Sequence, residues 1–249
     1  MTKAPLKTTL SFLLIGLSSL ALITQAVQAA TSIEPSFETS TKISTGLFYS
    51  SGQSDTINNP DVNTISVPLL VSVKQGRLSF GLSTAYLSVD SESMSAEGVG
   101  DTTVSLGYDL LENPWLTLKV KEKFATGDET KGLSTGENDT SLQLDYFYPL
   151  KANTALFASL SHKFVGKVSG LAMQDTNYAS LGTAYTYANK TNIGFSLDYR
   201  QSIFKTLEDQ TGASIFLSKP INKTYNVSAF GGYDSTQTSS AGVTLTTKF

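Results

Sequence analysis

Cysteine is absent from this 249-residue chain, which excludes disulfide scaffolds, thiol nucleophiles and thiolate metal sites. Histidine occurs once, at His162, so multi-histidine metal centres lack ligands and most acid/base machinery lacks its usual proton carrier. No cofactor and no metal are expected. Charge is sparse as well: Asp, Glu, Lys and Arg make up 16% of the chain, where soluble domains carry roughly a quarter. With 18 basic against 21 acidic groups there is no basic excess to hold a polyphosphate backbone, and nucleic acid is not an expected partner. A mean hydropathy of -0.05 describes a chain neither oily nor charged, as suits a surface divided between two solvents.

Long apolar runs are confined to the beginning. Residues 1–29 start with Lys3 and Lys7, continue through an apolar run from Leu10 to Ile23, and end in small residues at Ala29 and Ala30. The run is shorter than the ~20 residues of a membrane-spanning helix. Its charged start and small-residue end read as a secretory signal cleaved at Ala29 or Ala30. Loss of two lysines leaves 16 basic against 21 acidic groups, a formal charge of -5. Fold reasoning therefore concerns one domain, 30–249.

What that domain has in abundance is alternation. Apolar residues recur at every second position in Ile65-Val67-Leu69-Val71-Val73, Val104-Leu106-Tyr108-Leu110, Leu142-Leu144-Tyr146-Tyr148 and Ile193-Phe195-Leu197-Tyr199. Period two marks strands with one apolar face. Twelve such runs are counted between Ile43 and Phe249. Short turn-forming connections such as Lys74-Gln-Gly76 and Glu112-Asn-Pro114 alternate with longer ones, including 91–100, 127–139, 166–177 and 232–240. An even strand number with tight turns at one end and larger loops at the other predicts an all-β fold, a transmembrane antiparallel up-and-down β-barrel of 12 strands.

Charge placement tests this independently. A lysine or arginine on the lipid face at mid-bilayer costs roughly 2–4 kcal/mol, and charged residues within the runs fall on the polar parity, with Glu122, His162 and Lys219 as exceptions towards strand ends. Aromatic depth is a further test, since Tyr favours membrane–water boundaries. Tyr108, Tyr146, Tyr148, Tyr185, Tyr187, Tyr225 and Phe249 form a lower belt, and Tyr49, Tyr86, Phe124, Phe164, Tyr199 and Tyr233 an upper one.

The final strand, ending in Thr-Leu-Thr-Thr-Lys-Phe249, resembles the terminal signal of outer-membrane proteins, which implies recognition by the barrel assembly machinery. Gly98-Val-Gly-Asp101, Ala125-Thr-Gly-Asp128 and Ser134-Thr-Gly136 followed by Asp139 resemble corners in a family of outer-membrane transporters named after the meta-pathway (MetA-pathway) of phenol degradation, with Ala125 where that family commonly has proline. The resemblance covers about Gly98 to Leu150. It implies passage of small, often aromatic, compounds across the outer membrane. Glycine and aspartate also serve such corners locally, through positive φ and turn capping. Outer-membrane lipid and lipopolysaccharide are the expected surroundings, and a solvated acidic loop explains Asp128, Glu129, Glu137 and Asp139 better than a divalent-ion site.

Parity also assigns the interior. Lys119, Lys121 and Lys123 form a basic ladder on one wall, with Asp145 on the adjoining strand and Asp198 and Arg200 further round. Such a ladder either favours anions or is consumed by ion pairs that plug the bore. Phe147, Phe157 and Phe216 take the inward parity, either to line a route for aromatic solutes or to fill the core. These nine residues are the pore-lining candidates of a passive channel for small, aromatic or anionic molecules. Two other classes compete: a non-conducting barrel acting through its loops as adhesin or receptor, and a phospholipase-like barrel using the outward His162. The latter resembles a Ser/His/Asn family in which serine follows the histidine by two positions, where this chain has Phe164. No catalytic residue is assigned.

Overall fold

Period-two segments cannot bury their backbone polar groups alone, and in a membrane only pairing all the way round removes every edge. The computed structural model describes residues 39–53, 61–91 and 94–249; the signal expected over 1–29 lies outside them. The strands are β1 (Ser40–Gln53), β2 (Asp61–Gln75), β3 (Leu78–Ser91), β4 (Met94–Val99), β5 (Thr102–Glu112), β6 (Trp115–Phe124) and β7 (Asp139–Lys151). They continue as β8 (Thr154–Phe164), β9 (Thr176–Thr186), β10 (Asn192–Arg200), β11 (Gln210–Pro220), β12 (Tyr225–Asp234) and β13 (Ser239–Lys248). Chain neighbours pair antiparallel except β4 and β5, which both pair with β3, and β1 pairs with both β2 and β13, which closes the ring.

Strands β4 and β5 are two halves of one stave. β3 pairs with β4 along its upper part and with β5 along its lower part, and the Gly100 amide bridges the break by donating to the Ala85 carbonyl at 2.9 Å. The result is a closed, all-β, up-and-down barrel of twelve staves. Turns of a few residues at Gly76, Pro114 and Asn153 occupy the end where both the first and last staves terminate, and loops 125–138, 165–175 and 201–209 occupy the other.

Two connections are shorter than the sequence pattern implied. The segment 91–100 contains β4, and 232–240 tightens to a four-residue turn in which Asp234 donates its amide to the Thr238 carbonyl. Alternation fades in both because they stand above the lipid, where each face of a strand meets water and neither needs to be apolar.

The outward face is apolar throughout its middle: Leu106, Leu160, Leu181 and Leu197 are each more than half exposed. An exposed apolar girdle running round a whole barrel has no stable place in water. Tyr108, Tyr148, Tyr185 and Tyr225 lie outward near the turn end, and Tyr49, Tyr86, Phe164 and Tyr233 outward near the loop end. Replacing Leu197 by Lys is expected to destabilise the barrel by about 2–4 kcal/mol, whereas Lys219→Ala near a stave end changes it by less than about 1 kcal/mol. Urea unfolding in phospholipid vesicles measures both, and equal effects would remove the bilayer from the explanation.

Candidate functional site

The lumen is screened from lipid by the wall, and the inward parity of the staves points to it. All nine interior candidates take that parity. They do not form one site: the structure divides them among a charged knot near the loop end, a middle polar layer, and an aromatic collar.

The knot is built around Lys123 at the top of β6. Its Nζ lies 3.1 Å from Asp101 Oδ2 and 3.2 Å from Asp139 Oδ2, and it donates to Thr135 Oγ1 at 3.3 Å. Both carboxylates have further work. Asp101 Oδ1 accepts from the Gly127 amide at 3.1 Å, and Asp139 Oδ1 accepts from the Gly166 amide at 2.9 Å. One buried cation therefore anchors two loops through two acids. The three glycine–aspartate corners converge here. Gly127 is required by proximity, because a Cβ would strike the Leu133 carbonyl, whereas Gly136 has a φ of 74°. Asp139, read as part of an acidic loop, instead begins β7 and is buried in the knot. Charge pairing within a lumen screened from lipid outweighs the solvation it would gain in a loop.

Two acids of the loops, Asp128 and Asp175, are held locally. The Thr130 hydroxyl donates to Asp128 and keeps its carboxyl below the usual carboxylate range, and Lys167 does the same for Asp175 from 2.5 Å. Among the described residues no group of three His, Asp or Glu side chains is arranged to hold a metal ion.

In the middle layer Lys119 pairs with Asp145 at 2.8 Å, and Asp145 also accepts from Gln143 at 2.6 Å and Ser159 at 2.5 Å. Lys121, between the two paired lysines, has no ion pair within 4.0 Å among the described residues. Asp198 accepts from Tyr178 at 3.0 Å and Ser196 at 3.3 Å, while Arg200 reaches Gln210 through Nε at 2.7 Å and Asp234 at 3.7 Å. Asp139 and Asp234 join the acids that meet inward cations, whereas Arg77 belongs to a turn, where it binds Glu112 at 3.0 Å. The lumen is thus close to charge balance, with two of the three ladder lysines engaged by acids.

The collar is built by phenylalanines of β1, β7, β8, β11 and β12. Phe157 and Phe216 meet at 5.9 Å between ring centroids, and Phe48 and Phe230 meet edge-on at 5.4 Å. Phe147 packs against the same cluster. Room for the rings comes from neighbouring staves: a Cβ at Gly182 would strike Phe157, one at Gly194 would strike Phe216, and one at Gly242 would strike both Phe48 and Phe230. Rings therefore lie over glycines and over one another, and Phe216 is 2% exposed.

Sequence parity missed the roof. Leu133, from loop 125–138, folds inward onto Val62, Ala85, Leu87, Val89 and Ala96. Val165, Val168, Met173 and Phe204 make a second small core from loops 165–175 and 201–209. An apolar residue inside an otherwise polar loop was the available signal.

His162 faces outward. Its Nδ1 lies 2.9 Å from Asn177 Oδ1 on the paired stave, and Phe164 meets its ring edge-on at 4.6 Å. A histidine–asparagine pair is present, but a phenyl ring fills the place of the nucleophile.

The geometry defines a closed antiparallel barrel with a lipid-compatible outside and a polar, partly aromatic inside. Solved structures of that class are similar to it. An outer membrane channel from Pseudomonas putida F1 superposes with a TM-score of 0.67 at 15% identity, covering 85% of this chain and 95% of that one. The translocator domain of the autotransporter NalP from Neisseria meningitidis gives 0.59 at 10% identity over 98% and 99%, and the KdgM porin, solved with disordered oligogalacturonate, gives 0.57 at 14% over 84% and 99%. At these identities the similarity concerns the fold. Neither a family model nor a curated protein sequence matches the chain.

Removing the central cation tests the knot. Lys123→Gln leaves Asp101 and Asp139 facing each other without a counter-charge and is expected to cost about 3–5 kcal/mol. Urea unfolding measures that loss; Lys121→Gln, with no acid to strand, serves as the comparison and changes stability much less.

Proposed function

We propose that this protein is an outer-membrane channel for passive passage of small molecules. One observation carries the reading: a closed barrel presents apolar side chains to its surroundings and hydroxyl, amide and charged side chains to its interior, which supplies a polar route through a layer that polar solutes cannot cross. Similar folds among outer-membrane channels and a porin support it. The exposed terminal Phe249, in phase with the outward Val243 and Leu245 of β13, supports delivery by the barrel assembly machinery into a membrane of outer-membrane lipid and lipopolysaccharide.

The solute is a small polar or anionic molecule. The phenylalanines offered as an aromatic track are packed face to edge over glycines, which leaves little ring surface for a guest, while the lysine ladder retains one member, Lys121, without an acid. Passage of aromatic compounds, implied by the resemblance to meta-pathway transporters, is the second reading, supported by the partly buried Phe147 and Phe230. The packed loop cores would serve a non-conducting receptor equally well, and conductance separates that class.

In planar bilayers the purified protein is expected to give small current steps with weak anion preference. Lys121→Gln should abolish most of that preference, since Lys119 and Lys123 are already neutralised by Asp145, Asp101 and Asp139. Absence of any current from protein that retains heat-modifiable migration would instead favour action through the loops.

A further inference from the structure

Two lysines on the inner wall are left over from the ion pairs. From the loop end downwards, β7 presents Asp139, Ser141, Gln143, Asp145 and Phe147 to the lumen. Its two acids lie on either side of Ser141, and both are taken: Asp139 by Lys123 and the Gly166 amide, Asp145 by Lys119, Gln143 and Ser159. Between them the register sets Lys121 of β6 against Ser141, and Ser141 against Lys163 of β8. At the one point where β7 faces a lysine on each side, it carries a hydroxyl instead of a carboxylate.

Neither ammonium makes an ion pair or a hydrogen bond among the described residues. The row to which they belong runs Ser105, Lys121, Ser141, Lys163, Thr176 from β5 to β9 and contains no acid. Lys121, Ser141 and Lys163 are each half-buried, so each keeps surface for a guest. Adjacent strands lie about 4.8 Å apart, which sets the two lysine backbones about 10 Å apart with Ser141 midway. Their flexible four-carbon stems let both ammonium groups close on one point above the serine.

Electrostatics favour a negative guest at that point. Lys163 is among the charges that act on Lys121, and Lys123 and Arg200 act on Lys163 in turn. The acids within the same reach are Asp145 and Asp139, the two already bonded elsewhere. Like charges facing one another across a serine repel, and an anion placed between them turns two repulsions into two attractions.

We propose that Lys121, Ser141 and Lys163 form an oxyanion-binding site on the inner wall, and that it takes the carboxylate of a small solute in transit. One carboxylate oxygen meets each ammonium, and the Ser141 hydroxyl donates to the same group; hydrogen bonds between charged partners are the strong ones. Charge balance selects a single carboxylate. Lys119, Lys121, Lys123 and Lys163 set against Asp101, Asp139 and Asp145 leave one positive charge, which one carboxylate neutralises.

This inference deepens the channel reading and rests on it for the solute's route, and the test separates the two. The full chain is folded into phosphatidylcholine vesicles and checked by heat-modifiable migration. Urea unfolding is then followed in sodium acetate and in sodium chloride at equal ionic strength. Acetate is expected to raise the urea midpoint above that in chloride, with a concentration dependence that saturates. Lys121→Gln and Lys163→Gln should each raise the half-saturating acetate concentration at least about tenfold, and the double substitution should abolish the response. Ser141→Asp supplies the carboxylate from within the chain. It should raise the midpoint in the absence of acetate and remove the response to acetate, whereas Ser141→Asn, with similar shape and no charge, should not raise the midpoint. Should the lysine variants fail to fold, Ser141→Asp still decides. An equal acetate response in the double variant, or a Ser141→Asp barrel less stable than the natural one, overturns the site. Current in planar bilayers is recorded from the same protein: current without a saturating acetate response refutes the site and leaves the channel, whereas an acetate response lost in the double variant, without current, refutes the channel and leaves the site.

Discussion

A charge inside a lipid-embedded barrel cannot be rescued by the solvent outside the wall, so each must meet water in the lumen or a partner across it. Lys123 is where that constraint is answered most fully. Two carboxylates and a hydroxyl surround one ammonium, and each carboxylate passes the connection on to a loop amide. Because Asp101 ends the break between β4 and β5 while Asp139 begins β7, the knot ties the top of three neighbouring staves to loops 125–138 and 165–175. Buried ion pairs of this kind contribute little net stability compared with an apolar core, but breaking one partner is costly. Their effect is to determine where the loops sit.

The same need for internal satisfaction divides the bore. Between β7 and β1, taken through β13, phenylalanines are accommodated by glycines on adjacent staves, and the polar groups below them bond to each other: Ser218, Asn226 and Ser228 form one such closed group, with bonds of 2.9 Å. Between β2 and β6 the inward residues at mid-height are small, as at Ser72, Gly81 and Ser105, and Lys119 and Lys121 stand beside them on β6. A barrel of twelve strands lies between those that side chains fill and those that leave a wide channel, and this one brings phenylalanine rings into part of its interior.

Much of the architecture was legible because lipid imposes a strict rule on alternate residues. Leu106, Leu197 and Val243 declared the outward face, and at mid-height charge avoided that face; Glu122, His162 and Lys219 take it towards strand ends, as do Asp61, Asp90 and Glu97 near the loop end. Strand ends were less legible. Met94–Val99 and Ser239-Ser240 stand above the lipid, where the rule lapses, and both were read as loop. Site residues were legible one at a time: parity could place Lys119, Lys123, Phe157 and Phe216 on the inside, but it has no information on which of them meet. That Lys123 finds Asp101 and Asp139, or that Phe216 lies over Gly194, depends on tilt and register between staves that are distant in the chain or set by turns.

By itself, then, the amino-acid order determined the class: a closed antiparallel barrel with an apolar exterior, because period two combined with a shortage of charge leaves no other way to satisfy both backbone and side chains in a membrane. Only the tertiary structure decided which acids Lys119 and Lys123 meet, which phenylalanine lies over which glycine, and that Leu133 turns inward. Those outcomes depend on distances across the lumen, and neighbours across a lumen are not neighbours in a sequence.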